Sequence, residues 1–130
     1  MGKREREKGK RGELMLVHYL EKLGIKSRRG YVFLKQSDLV GIDGIHVECK
    51  YCEKLNARAA LDQAIEEAEK RKDGLPVVFW KVTRKPWVCI MRTEDFATLY
   101  KLAKGVVADG PNEEIISVIH RQPQSLGPAE

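Results

Sequence analysis

The segment from Ser37 to Lys50 constrains the fold most, because it places charged residues within the pattern of an apolar hairpin. Asp38, Glu48 and Lys50 interrupt two apolar runs that flank Asp43-Gly44, a dipeptide typical of hairpin turns. An isolated carboxylate in an apolar setting is costly unless it is paired. The pattern therefore indicates a site for a divalent metal and a phosphate. An ordinary hairpin whose acids reach solvent at a sheet edge is the alternative.

The length of the turn decides whether the two acids share a face of the sheet. Residues i and i+2 of a strand share a face, so Glu48 and Lys50 point the same way. A two-residue loop at Asp43-Gly44 sends Asp38 to the opposite face from Glu48, whereas a three-residue loop at Ile42-Asp43-Gly44 sets Asp38 across from Glu48. We predict the three-residue loop, with its glycine in the left-handed conformation. In that register the active face also carries Val40, His46 and Lys50, and the packed face carries Leu39, Ile45, Val47 and Cys49.

The composition fits one compact domain. The chain has 130 residues, of which 42% are hydrophobic and 33% charged. We expect a basic N-terminal arm at residues 1–9, a single domain at 10–120 and a disordered tail at 121–130. No apolar run is long enough to span a membrane, and the N-terminus lacks the apolar centre of a secretory signal. The sequence therefore predicts an intracellular protein of the cytoplasm.

The number and spacing of the three cysteines argue against a disulfide framework and against a zinc site. Cys49 and Cys52 have the Cys-x-x-Cys form, but the remaining cysteine and the histidines lack ligand-like spacing. Cys49 also lies inside an apolar run rather than at a helix N-terminus, where a redox thiol is expected. We interpret Cys49 as a small buried apolar residue.

Basic residues form three clusters in a chain with a net charge of +5. They lie between Lys3 and Arg11, between Lys26 and Arg29, and between Lys81 and Lys85. Such clusters attract a polyanion, and because they flank the candidate metal site they favour a nucleic acid as the partner. A solvated surface without a partner is the alternative. The candidate DNA-binding residues, including one amide on a helix flank, are Lys8, Lys10, Arg11, Arg28, Arg29, Gln63, Arg84 and Lys85.

Apolar spacing and turn residues predict the other elements. The predicted helices run from Lys10 to Leu23, from Ala57 to Lys72 after an Asn56 N-cap, and onward from a Thr93 cap, the last with Phe96, Leu99 and Tyr100 on its inner face. Strands are expected at Tyr31–Leu34, in the Asp38–Lys50 hairpin, at Pro76–Val82, at Trp87–Met91 and more weakly at Ile115–Ile119. Glu13 falls on the apolar stripe of the first helix. It therefore either reaches solvent near the helix end or points into the site as a third acid.

This order of elements resembles the PD-(D/E)xK nuclease superfamily, most closely the archaeal-type Holliday junction resolvases and related small phage endonucleases. Those proteins carry a helix-borne Glu, an Asp at the start of a strand and Glu-x-Lys on the next strand. Glu13, Asp38, Glu48 and Lys50 stand in those places over a similarity that covers about residues 8–102. Ser37 stands where the superfamily name has proline, which shapes only the entry to the strand. The resemblance implies an α/β fold with a restriction-endonuclease-like core, a mixed central β-sheet flanked by helices.

The resemblance and the residue types together predict a Mg²⁺-dependent DNA endonuclease, selective for branched DNA such as a Holliday junction. Asp38, Glu48 and the backbone carbonyl of Cys49 would hold Mg²⁺, for which Mn²⁺ can substitute, and Glu13 would anchor it or bind a second metal. Lys50 would orient the nucleophile and stabilise the transition state. The resemblance further implies a homodimer and is compatible with a phage source. A flap, nicking or restriction-type nuclease and a non-catalytic nucleic-acid-binding protein are the alternatives.

Overall fold

A mixed β-sheet between helices forms the centre of the computed structural model, which describes residues 2–105 of the chain. In chain order its elements are α1 (Lys3–Lys22), β1 (Arg28–Arg29), a 3-10 turn (Val32–Leu34), β2 (Leu39–Val40), β3 (Ile45–Tyr51), α2 (Ala57–Arg71), β4 (Leu75–Lys81), β5 (Val88–Ile90) and α3 (Thr93–Ala103). The strands lie side by side in the order β1-β2-β3-β4-β5. The β3–β4 pair is parallel and the other pairs are antiparallel. The predicted α/β fold with a mixed sheet flanked by helices is confirmed.

Helices α1 and α2 cover opposite faces of this sheet. Leu16 and Leu20 of α1 pack with Leu39 and Val47, and α2 packs on Val78. Val78 lies beside Glu48 in the parallel pair, so it points to the opposite face from Val47. We call the two surfaces the α1 face and the α2 face. Glu48 therefore lies on the α2 face, although α1 carries the third candidate acid.

The turn between β2 and β3 has the predicted length. Leu39 lies opposite Val47, and this register leaves Ile42, Asp43 and Gly44 as the loop. The Ile45 N–H donates to the Ile42 carbonyl at 3.1 Å, and Gly44 has a φ of 85°. Because that φ is left-handed, glycine relieves the strain that a Cβ would cause here. The predicted three-residue loop is confirmed.

A close backbone approach fixes the start of β4 against this turn. A Cβ built on Gly74 would collide with the carbonyl carbon and oxygen of Gly44, and the φ of Gly74 is 138°. The Leu75 N–H donates to the same carbonyl at 2.8 Å. Glycine at position 74 thus permits the hydrogen bond that begins the parallel β3–β4 pair.

Two predictions for the first third of the chain are wrong. Helix α1 begins at Lys3 rather than at Lys10, so residues 3–9, expected as an arm, are helical. The segment Tyr31–Leu34 is not a strand, and the sheet uses Arg28–Arg29 instead. Its apolar composition favoured a strand, but local hydrogen bonds, including one from the Tyr31 N–H to Gln36 Oε1 at 2.8 Å, close a turn there.

The last described helix also differs from its prediction. Its N-cap is Arg92 rather than Thr93, and Phe96 and Tyr100, expected on the inner face, are mainly exposed. Asp95 and Thr98 are buried in their place. By contrast, Asn56 caps α2 as predicted, accepting from the Ala59 N–H at 3.0 Å. The strand expected at 115–119 and the tail at 121–130 lie outside the described residues. No helix between residues 2 and 105 has the length and apolar character needed to cross a bilayer.

Candidate active site

The pairing of β2 with β3 sets Asp38 opposite Glu48, and both residues lie on the α2 face of the sheet. Asp38 comes directly before β2, and its Oδ2 accepts a 2.7 Å hydrogen bond from the Cys49 N–H of β3. Within β3, Glu48 and Lys50 alternate with Cys49, and Lys50 Nζ lies 4.0 Å from Glu48 Oε2. Two carboxylates and one ammonium group are thus held by hydrogen-bonded strands.

The electrostatics of this cluster favour a cation. Burial raises the pKa of Asp38 to about 7, and repulsion by Glu48 and more weakly by Glu13 adds to the rise. The Cys49 N–H and Lys50 act in the opposite direction but do not cancel it. An acid whose charge is disfavoured by burial and by other acids is stabilised when a divalent cation neutralises the group.

Helix α1 supplies Glu13 through a glycine contact. A Cβ on the buried Gly12 would lie 2.7 Å from Tyr51 Cβ, so the helix backbone rests directly on the end of β3. Glu13 Oε1 forms an ion pair of 2.8 Å with Nε of Arg29 in β1. The carboxylate also acts on Asp38 electrostatically. Glu13 therefore borders the cluster, with one oxygen held by Arg29.

Helix α2 contributes one contact to the site. Gln63 Oε1 accepts a hydrogen bond of 3.2 Å from Lys50 Nζ. Because Glu48 Oε2 also lies 4.0 Å from the ammonium group, Lys50 has two partners on the α2 face. Gln63 was predicted from its position on the helix flank as a DNA contact; its described partner is Lys50.

His46 and Asp73 belong to the same cluster but were not predicted as site residues. His46 is 1% exposed; its Nδ1 lies 2.8 Å from Asp73 Oδ1 and its Nε2 lies 3.6 Å from Glu48 Oε1. Burial lowers the pKa of His46, but contacts with Asp73 and Glu48 outweigh it and raise the pKa to about 9. Strand parity already placed His46 beside Glu48. Asp73 could be found only from the β3–β4 pairing, which brings it to the same end of the sheet.

The donor set suits a magnesium ion that keeps several waters. No three His, Cys, Asp or Glu side chains within the described part of the chain are grouped as a ready-made metal cage. Mg²⁺ is commonly bound through one or two carboxylates plus water and substrate phosphate, which Asp38 and Glu48 can provide. The residues present therefore fit this ion better than one that requires an all-protein cage.

The predicted DNA-binding residues of α1 and β1 lie around aromatic rings. Lys8 Nζ and the Arg11 guanidinium lie 5.1 and 5.9 Å from the centroid of the Tyr51 ring. Arg28 covers the Tyr31 ring at 4.6 Å. Lys10 is exposed on α1. Lys8 and Arg11 therefore lie at the end of β3 on the α1 face, and Arg28 lies beside the Tyr31 ring in the loop before β2.

Arg84 and Lys85 are not brought together with that cluster. They line a cavity of about 510 Å³ between α1 and the turn from β4 to β5. Its other walls include Tyr19, Lys22 and Trp87. Trp87 packs with the core on the α1 face, whereas the acids lie on the α2 face. The cavity therefore lies on the opposite face of the sheet from Asp38 and Glu48.

Comparison with known proteins gives a likeness to solved structures but not to a family model or a curated protein. No protein-family model and no curated protein matches the chain. Among solved structures, the chain is similar to Hjc of Archaeoglobus fulgidus, a Holliday junction resolvase from an archaeal hyperthermophile. The identity is 22% and the TM-score 0.48, over 62% of this chain and 73% of that one. A likeness of this strength does not define an activity, which depends on the side chains at the site.

Proposed function

We propose that the protein is a Mg²⁺-dependent endonuclease that hydrolyses phosphodiester bonds in DNA. One observation carries the proposal: the β2–β3 register sets Asp38 beside Glu48, with Lys50 on the same face. Two acids facing an anionic backbone would oppose binding unless a cation lay between them. A protein that only binds DNA has no use for that arrangement.

In this mechanism Asp38, Glu48 and the Cys49 carbonyl would hold the ion, and Mn²⁺ could replace it. A bound Mg²⁺ would polarise the scissile phosphate and lower the pKa of a water molecule. Lys50, held between Glu48 and Gln63, donates to the phosphate or to the attacking water and stabilises the growing negative charge. Glu13 accepts hydrogen bonds from waters at the edge of the cluster.

His46 acts as a positioning residue for Glu48. The ring is buried and its pKa is raised to about 9, so it is protonated at neutral pH. The imidazolium then donates from Nδ1 to Asp73 and pairs through Nε2 with Glu48 Oε1. Because one oxygen of Glu48 faces the imidazolium, the other oxygen is directed toward Lys50 and the cluster.

DNA is the proposed substrate because cations border the acids. Lys8, Lys10, Arg11 and Arg28 are placed to contact the backbone near the cut, and Arg84 with Lys85 to contact a separate stretch. The resemblance of the sequence to Holliday junction resolvases supports branched DNA as the preferred form. It also supports a homodimer, because resolving a four-way junction requires two matched cuts.

The test compares cleavage by the wild-type protein and two matched variants. Labelled four-way junction, flap and linear duplex are incubated with Mg²⁺, with Mn²⁺ or with EDTA. We expect cutting with Mg²⁺ or with Mn²⁺ and no cutting in EDTA. We expect Glu48→Gln to reduce the rate on the order of 100-fold or more. Glu66→Gln removes an equivalent carboxyl from an exposed ion pair of α2 and should leave the rate unchanged.

Each contrary result has a definite meaning. Undiminished cutting by Glu48→Gln would contradict the assigned active site. Cutting in EDTA would contradict the requirement for a metal. Equal cutting of all three substrates would remove the preference for branched DNA while leaving the nuclease. If the wild-type protein binds DNA but neither cuts it nor binds Mg²⁺ or Mn²⁺ in a calorimetric titration, the protein is a non-catalytic binder.

A further inference from the structure

An exposed apolar turn lies at the end of the sheet that carries Asp38. The four consecutive residues Tyr31, Val32, Phe33 and Leu34, here called the apolar tip, have exposed fractions of 47%, 85%, 79% and 55%. Isolated apolar residues are ordinary on protein surfaces, but a contiguous group of this kind marks a contact site. The proposed chemistry makes no use of the apolar tip.

Local hydrogen bonds give the apolar tip a defined shape. The Leu34 and Lys35 N–H groups donate to the Tyr31 and Val32 carbonyls at 3.1 and 2.9 Å, and Lys35 is left-handed with a φ of 54°. The Tyr31 and Phe33 rings lie 5.5 Å apart with an interplanar angle of 30°. A preformed turn of this kind loses little conformational entropy when it binds a partner.

The ends of the loop are tied to the candidate active site. The Gly30 N–H donates to the Asp38 carbonyl at 2.9 Å, so residues 31–37 leave and rejoin the sheet at one point. A Cβ on Gly30 would collide with the Ser37 carbonyl, which requires glycine there. The apolar tip is therefore a short, closed projection whose base is Asp38 itself.

The charge around the apolar tip selects its partner. Residues 26–37 include Lys26, Arg28, Arg29 and Lys35 but no Asp or Glu. Arg28 also lies over the Tyr31 ring, so a cation and an aromatic face are presented together. A second copy of the chain docking through this surface would bring like charges together. A polyanion that also offers apolar flat surfaces, such as the bases of DNA, complements both features.

We propose that the apolar tip is a wedge that stacks against unpaired bases where DNA strands separate, and that it directs Asp38 to branch points. This inference rests on the proposed function, since it names the structural feature of the DNA that the same site selects. Phe33 is the principal stacking side chain, with Val32 and Leu34 packing against the adjacent base step. Phe and Leu wedges of this kind unstack base steps in other DNA-binding folds.

The test measures binding and base exposure separately from cleavage. A four-way junction and a duplex of matched sequence are bound with Ca²⁺ in place of Mg²⁺, and permanganate reactivity reports unstacked thymines. We expect wild-type protein to prefer the junction and to increase thymine reactivity at the branch. Phe33→Ala should reduce the preference on the order of tenfold or more, without weakening duplex binding, because one aromatic–base stack is lost. Phe33→Trp should retain both effects.

The control is Phe96→Ala on α3, which removes an aromatic side chain that is 58% exposed but lies outside the apolar tip. It should leave both measurements unchanged. The proposal is overturned if Phe33→Ala keeps the junction preference and the thymine reactivity, or if it changes the sedimentation mass, which would identify the apolar tip as an interface between copies. These outcomes are independent of the cleavage test. If the protein cleaves DNA without the wedge effect, the proposed nuclease activity stands and the wedge does not. If the wedge effect occurs without cleavage, the proposed nuclease activity is wrong.

Discussion

The Cys49 N–H donates a hydrogen bond of 2.7 Å to Asp38 Oδ2, so the first acid of the site is held by the strand that carries the second. The bond leaves the remaining carboxylate oxygen of Asp38 for another partner. It also fixes the side chain before any ion arrives. The position of Asp38 is therefore set by the protein itself, and the cost of its buried charge appears as a raised pKa.

Removing the charge of Asp38 should stabilise the metal-free protein. The pKa of this group is raised from 3.8 to about 7, so ionisation favours the unfolded state increasingly between those pH values and by a constant amount above them. Asp38→Asn keeps an acceptor for the Cys49 N–H. We expect it to raise the free energy of unfolding by a few kcal/mol at pH 8, at ~1.4 kcal/mol per pKa unit, and to have little effect near pH 4.

Thermal unfolding in EDTA at the two pH values provides the measurement. Mg²⁺ should raise the wild-type Tm at pH 8 but not that of Asp38→Asn. Asp62→Asn, at an exposed ion pair of α2, is the control and should keep both the wild-type Tm at each pH and the wild-type response to Mg²⁺. A lower Tm for Asp38→Asn at pH 8 would mean that the burial of its charge is already compensated within the protein.

His46 should make stability fall at alkaline pH. Its pKa is raised from 6.5 to about 9, so the ion pairs with Asp73 and Glu48 contribute fully below pH 6.5 and are lost as the pH rises through 9. In urea unfolding of the wild type from pH 6 to 9.5, His46 should therefore contribute a loss on the order of 2 kcal/mol in addition to that from Asp38, allowing for the partial exposure of Asp73. Asp73→Asn should be less stable at pH 6 and should show a smaller loss. Parallel pH curves for the two proteins would assign the alkaline change to other groups.

Lys50 should separate cleavage from metal binding. Lys50→Met keeps most of the length of the side chain but removes the ammonium group that contacts Glu48 and Gln63. We expect the cleavage rate to fall about 100-fold while Mg²⁺ affinity, measured by calorimetry, stays the same or rises, because a positive charge has left the site. Lys101→Met on the exposed surface of α3 is the control. Loss of Mg²⁺ binding by Lys50→Met would indicate that the lysine organises the acids rather than the phosphate.

Two glycines of α1 should respond oppositely to the same substitution. A Cβ at Gly9 would meet no described atom within 4 Å, so Gly9→Ala should stabilise the helix by about 0.5–1 kcal/mol. At Gly12 the added methyl would press on Tyr51, so Gly12→Ala should destabilise by about 1–3 kcal/mol and should displace Glu13. Urea unfolding measures both effects. Stabilisation by both variants would show that α1 can move away from β3 without cost.

The candidate site was predictable from sequence because strands alternate. The alternation of side chains along a strand puts Glu48 and Lys50 on one face of the sheet. Only a loop with an odd number of residues places Asp38 on that same face. The observed register, with Leu39 opposite Val47, confirms that loop. The roles assigned to these residues stay predictions. Asp73 was missed because its place depends on β4, a neighbour that local spacing does not specify.

The orientation of α3 was not predictable from apolar spacing. Phe96, Leu99 and Tyr100 have the spacing of an inner face, yet the buried residues are Asp95 and Thr98. Asp95 Oδ2 pairs with Arg92 Nε at 2.8 Å. An ion pair formed across the first turn of a helix competes with the burial of an apolar stripe, and the pattern of apolar residues gives no sign of it. The same limit applies to Tyr31–Leu34, where a turn replaced the expected strand.

Helix α1 has a mechanical consequence for the site. It runs without interruption from Lys3 through Glu13, about 15 Å at ~1.5 Å per residue, and Gly12 is its first buried residue. The positively charged turns before Gly12 thus form a stiff rod attached to the sheet at one end. Because the helix has no break between Lys3 and Glu13, a polyanion that moves its first turns would also move the Glu13–Arg29 ion pair. If the protein is the proposed nuclease, DNA that docks at the far end of the helix would act on the position of Glu13 before it reaches Asp38 and Glu48.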